Sequence, residues 1–73
     1  MTRHLLDKPR EWEIRVRRRG TTEVMHAETF NGTMLQAEQR LGDVWNDGYC
    51  TSGDRRFRAT LAPLGGRVIQ TIE

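Results

Sequence analysis

Thr33–Gly48, TMLQAEQRLGDVWNDG, decides how the rest of the chain must be arranged. At about 100° per residue, Met34, Ala37, Leu41, Val44 and Trp45 fall on one stripe, while Gln36, Gln39, Arg40, Asp43 and Asn46 face the other way. This is the pattern of an amphipathic helix with one apolar face. Thr33, followed three residues on by Gln36, makes a capping-box pair: the hydroxyl accepts from an orphan backbone donor and the amide reaches back to the cap. Gly48 is placed to stop the helix in the left-handed conformation. Gly42, in the interior, costs roughly 1 kcal/mol relative to alanine and reads as a place where another element packs closely. A single helix cannot cover its own stripe, so the flanking segments must form the surface on which it lies.

Upstream, Trp12, Ile14 and Val16 alternate with Glu11, Glu13, Arg15 and Arg17, the period of a half-buried strand. A two-residue turn at Gly20 and Thr21 closes a hairpin, and moving it to Arg19 and Gly20 keeps the same faces. Val16 then lies across from Met25, Ile14 from Ala27 and Trp12 from Thr29, which leaves His26 and Glu28 outside with Glu13, Arg15, Arg17 and Val24. Phe30 ends this second strand, and Asn31 with Gly32 bends into the helix. Downstream, YCTSGDRR (residues 49–56) is polar and aperiodic and reads as a mobile loop. Phe57, Ala59 and Leu61 alternate with Arg56, Arg58 and Thr60 in a third strand, and Gly65–Gly66 turns the chain into a fourth, Arg67–Ile72. Ala59 then meets Ile72 and Leu61 meets Gln70 on the inward face, with Arg58 opposite Glu73 on the other. The expected fold is α+β: a single helix packed on a four-stranded antiparallel sheet, in the order strand-strand-helix-strand-strand. Residues 1–10 read as a flexible N-terminal arm, whose Leu5 and Leu6 either lid a core edge or join a homodimer, and residues 11–73 as one domain. Strand order stays open, because each hairpin edge can meet the other or a second copy.

With 73 residues the core is small, which suits a binding role better than a large substrate pocket. Hydrophobic residues make up 36% and charged residues 30%, and the apolar positions are too periodic for disorder. Cys50 is the only cysteine, and the N-terminus has no apolar run fit for a signal peptide or membrane span, so a cytoplasmic protein is expected, in a host cell if phage-encoded. Net charge is only +2, yet Lys8 is the sole lysine among twelve cations. Arginine favours planar, two-pronged contact with phosphate or carboxylate.

Arg15, Arg17, Arg56 and Arg58 project from the uncovered sheet face, with Arg19 and Arg67 near turn rims. Together with His26 they form the candidate partner- or phosphate-binding set. The competing reading is a solvated face with local ion pairs, since Glu11, Glu13, Glu28 and Glu73 share it. That face offers no aromatic, so contact would be by charge and shape rather than base stacking. Trp45 and Tyr49, at the helix end, are a candidate hot spot. His26 with Glu13 or Glu28 and an arginine resembles in composition the acid–base groups of small ribonucleases. Such residues are also ordinary cross-strand partners, and no catalytic residue is assigned. Cys50, His4 and His26 lack metal-ligand spacing, so neither metal nor cofactor is expected.

The passage Ala27-Glu28-Thr29, running through Thr33 and Ala37 to Arg40, together with the size and element order, resembles the small phage-encoded anti-CRISPR proteins built as a helix on an antiparallel sheet. The resemblance implies a non-catalytic inhibitor that docks on a CRISPR-type nucleoprotein complex and blocks the path of guide or target. Phe30–Gly32 intervene where the family pattern would enter the helix sooner, and no family binding residue carries over. The alternatives are direct, sequence-nonspecific binding of duplex DNA or RNA and, behind that, a small ribonuclease.

Overall fold

A computed structural model describes residues 9–50 and 56–73. Strands β1 (Arg10–Arg18) and β2 (Val24–Gly32), helix α1 (Met34–Gly48), and strands β3 (Phe57–Pro63) and β4 (Gln70–Ile72) follow in that order. The strands form one antiparallel sheet, β2-β1-β3-β4, so the first strand of each hairpin lies in the middle and β2 and β4 form the edges. The α+β plan read from the sequence is the one observed. Arg10, assigned to the arm, already belongs to β1, and the rest of the arm up to Lys8 lies outside the described residues, as does the 51–55 part of the aperiodic loop.

The helix forms where its capping signals place it. Thr33 Oγ1 accepts from the Gln36 amide at 3.2 Å, and Gln36 Oε1 accepts from the Thr33 amide at 2.9 Å. Ala37, Leu41 and Val44 are buried against Trp12, Ile14 and Val16 of β1 and Ala59 and Leu61 of β3, with Met34 and Trp45 packed at the margin. Ile14, Leu41, Leu61 and Val16 are the largest fully buried side chains, each contributing roughly 1.5–3 kcal/mol. The indole N–H of Trp12 is buried and donates to the Gly32 carbonyl at 2.9 Å, tying β1 to the strand–helix joint.

Two glycine expectations are corrected. Gly48 ends the helix without left-handed geometry: the cap is Tyr49 at φ −124°, and its amide donates to the Trp45 carbonyl. Positive φ among the described residues is confined to Gly20 and Gly65. Gly42 is no packing site either, for a Cβ there would meet nothing within 4 Å.

The first hairpin keeps one rung of its expected register. Arg17 lies opposite Val24, as the predicted turn requires, but the ladder slips between Val16 and Arg17, and Val16 faces His26, Ile14 faces Glu28 and Trp12 faces Phe30. Met25 is the extra residue of a β-bulge. A one-residue slip reverses every later side chain, so His26 and Glu28 point to the helix side and Ala27 and Thr29 to the uncovered side. The slip moves the large apolar Phe30 inward, where it packs on the core, and brings Glu28 within reach of the helix. The turn itself is a β-turn in which Thr21 N–H donates to the Arg18 carbonyl at 3.2 Å, with Gly20 at φ +80° in the position that requires it.

The second hairpin keeps its predicted register: Ala59 opposite Ile72 and Leu61 opposite Gln70. Its turn is centred on Leu64 and Gly65, where Gly66 N–H donates to the Pro63 carbonyl at 2.7 Å and Gly65 takes φ +77°. The chain rejoins the sheet ladder only at Gln70, three residues later than expected, leaving Leu64, Val68 and Ile69 about half exposed.

Candidate sheet-face binding site

Alternation along β1 and β3 fixes what the uncovered face carries. Glu11, Glu13, Arg15 and Arg17 share it on β1, and the ladder sets Glu13 against Ala62, Arg15 against Thr60 and Arg17 against Arg58. Thr60 is in turn opposite Thr71 of β4. Two arginines directly opposite each other are unfavourable in an antiparallel sheet, and the surroundings only partly compensate. Arg58 Nη2 lies 3.1 Å from Glu73 Oε1, and Arg19 Nη2 lies 3.1 Å from Glu73 Oε2, so one carboxylate bridges two guanidiniums. Arg15 pairs with Glu13 at 2.8 Å, and Arg18 with Glu23 at 3.2 Å. Among the described residues, Arg17 and Arg67 meet no carboxylate within ion-pair distance.

Around the Arg17–Arg58 rung lies an open groove of about 420 Å³, in which Arg17, Arg19 and Arg58 are interspersed with Thr21, Thr60 and Thr71. The site is built from the β1–β2 turn, the two central strands and the β4 edge. The arginines come from period-two positions, which is why they share a face, while Arg19 reaches the rim because its amide donates to the Arg56 carbonyl at 2.8 Å. Arg15, Arg17, Arg19 and Arg58 are thus brought together, with Arg56 just before β3 at the same end. Arg67 stands in the exposed β3–β4 connection. The threonines were not singled out in the sequence, although Thr60 shares the outward parity of Arg58 along β3 and Thr71 lies opposite it on β4.

His26 is not part of this face. Its Nε2 lies 2.8 Å from Glu28 Oε1, and Arg40 clasps the same carboxylate from the helix, Nε to Oε2 at 2.7 Å and Nη2 to Oε1 at 3.0 Å. The Arg40 guanidinium, then His26, holds the Glu28 carboxyl below its ordinary range against the opposing effect of burial, and Glu28 in turn pushes Arg40 further up. The His26 ring lies 6.2 Å from that of Tyr49, which meets Phe57 edge-on at 5.3 Å. A cleft of about 740 Å³ opens here, lined by Asp43, Asn46 and Asp47 as well as Arg40. Acid–base cleavage of a phosphodiester needs a base and an acid flanking the phosphate with a cation nearby. Both Glu28 oxygens are engaged, and the arginine groove lies on the reverse of the sheet, so the cluster reads as a clasp between β2 and α1. Tyr49 and Trp45 are half-buried against the core rather than displayed.

Among the described residues no group of three His, Cys, Asp or Glu is placed to hold a metal ion, and no helix is long and apolar enough to cross a membrane. Comparison with protein-family models, with curated proteins and with solved structures finds no match to this chain.

Proposed function

We propose that this protein is a non-catalytic binding module that docks through its uncovered sheet face on a protein complex handling nucleic acid, acting as an inhibitor of the anti-CRISPR-like kind. The observation that carries this reading is the separation of charge along one face: Glu11 and Glu13 at one end of β1, and Arg15 and Arg17 at the other, beside Arg58 and Arg19. A nucleoprotein surface presents both cationic side chains and phosphates, so each end of the face finds its opposite. Naked duplex alone would set its phosphates against both glutamates. The existing ion pairs on the face are partly exposed and worth about 0–1 kcal/mol each, so they open at small cost when a partner arrives.

The test is capture from a bacterial lysate by the immobilised protein and by an Arg15→Glu/Arg17→Glu variant. The wild type is expected to retain a nucleic-acid-handling complex that the variant loses. An identical retained set for both proteins would overturn the reading.

A further inference from the structure

The contact between Glu73 and the two arginines it bridges differs in kind from the clasp on the other side of the sheet. Arg40 grips Glu28 in two-pronged fashion, with a contact as short as 2.7 Å. Glu73 instead gives one oxygen to each of two arginines, both at 3.1 Å, with all three side chains about a third to a half exposed. Two oxygens on one centre, shared between two guanidiniums, is also how the unesterified oxygens of a phosphodiester meet an arginine pair. Four arginines line the groove, Arg17, Arg18, Arg19 and Arg58, and with Arg18 answered by Glu23 the other three share the side-chain carboxylate of Glu73. The threonine hydroxyls of the groove add neutral donors. Thr60 Oγ1 has only a long 3.5 Å contact to the Arg15 carbonyl, so little holds it back from a ligand.

We propose that Glu73 stands in for a phosphate: its carboxylate fills the Arg19–Arg58 anion site in the unbound protein, and a backbone phosphodiester of nucleic acid displaces it on binding. The inference rests on the sheet-face docking proposed above and adds what the basic end of that face receives. A phosphodiester brings the same charge and a similar pair of oxygens, while its chain continues along the groove past Arg17, which a single side chain cannot do. Glu73 therefore acts as an internal competitor. Until displaced, it neutralises part of the arginine charge in the groove.

The test is fluorescence anisotropy of a short labelled random-sequence duplex across a salt series, with thermal melting to confirm that each variant is folded. Glu73→Gln is expected to tighten binding with little change in the slope of log affinity against log salt, because the same phosphate occupies the site in both proteins. Arg58→Gln is expected to weaken binding and to flatten the slope by about 0.9, the value of one phosphate contact. Inorganic phosphate should compete with the duplex on the wild type, and an oligoglutamate peptide should compete far less. Equal affinity of wild type and Glu73→Gln overturns the proposal, as does a slope steeper by a whole phosphate contact in Glu73→Gln, a duplex bound by neither at low salt, or oligoglutamate competing as well as phosphate. Arg15→Glu alone, without the Arg17 change, alters the face outside the groove, so with that single variant the two readings fail separately. Capture abolished by Arg15→Glu with no Glu73 effect leaves docking without displacement, and a Glu73 effect with no captured complex leaves displacement without docking.

Discussion

Glu28 joins strand to helix by charge, because its carboxylate is shared by Arg40 of α1 and His26 of its own strand. Its pKa lies below the ordinary value of 4.5 in the folded protein, so the stability it contributes is present above that value and is lost as pH falls through the lower, folded one. Glu28→Gln should therefore destabilise at neutral pH by about 1 kcal/mol, kept small because Arg40 is partly exposed, and the deficit should vanish in acid, below the folded pKa. Urea denaturation at neutral and at acid pH checks this, and a deficit undiminished in acid would mean that packing, not charge, is responsible. The glycines make a sharper pair. Gly42→Ala meets open space and should stabilise by roughly 1 kcal/mol through helix propensity alone. Gly32→Ala should do the reverse. Its Cβ would fall 2.7 Å from Gln36 Oε1 and 2.8 Å from the Phe30 ring, and Gln36 cannot swing aside without releasing the Thr33 amide, a cap worth about 1 kcal/mol. Thermal melts of the two variants should move in opposite directions.

Among the elements, the β1–β2 hairpin departs most from its sequence pattern, and the bulge is the reason. Removing Met25 leaves Val24 opposite Arg17 and His26 opposite Val16 as consecutive rungs, so a Met25 deletion should close the ladder without moving anything beyond it. The side chain lost is already 38% exposed. We expect the deletion to cost no more than about 1 kcal/mol and to retain cross-strand NMR contacts between Val16 and His26, whereas deletion of Ala27 reverses Glu28 and Phe30 and should unfold the domain. The bulge was illegible beforehand because the two faces of β2 are closely matched: Met25, Ala27 and Thr29 against His26, Glu28 and Phe30. What decides between them is long-range, Phe30 on the core and Arg40 on Glu28, and neither contact is written in local alternation. Thr33 with Gln36, the β1 alternation and the β3–β4 register are local, and each was readable. The same division holds for the site. Arg15, Arg17 and Arg58 were placed on one face by period alone, but the meeting of Arg17 with Arg58 depends on β1 pairing with β3, a choice among strand orders that the chain does not spell out.

At the scale of the whole molecule, a sheet packed on one side only carries its unfavourable electrostatics on the other. The Arg17–Arg58 rung places like charges side by side near the end of the two middle strands, with Glu73 answering only one of them among the described residues. Like charges directly opposite cost a few tenths to 1 kcal/mol, which a domain of 73 residues can ill spare unless the arrangement serves binding. Arg17→Thr keeps a good strand former and removes the repulsion. It should therefore raise stability by about 0.5 kcal/mol at low salt while weakening capture of the partner complex, the two effects moving in opposite senses. Salt separates this from a gain in strand propensity: screening shortens to about 3 Å at 1 M, so the wild type should gain on the variant as salt rises, and the gap in urea midpoint should narrow. A variant less stable than wild type at low salt, or a gap indifferent to salt, would show that the rung is not strained and that Arg17 sits on the face without electrostatic cost.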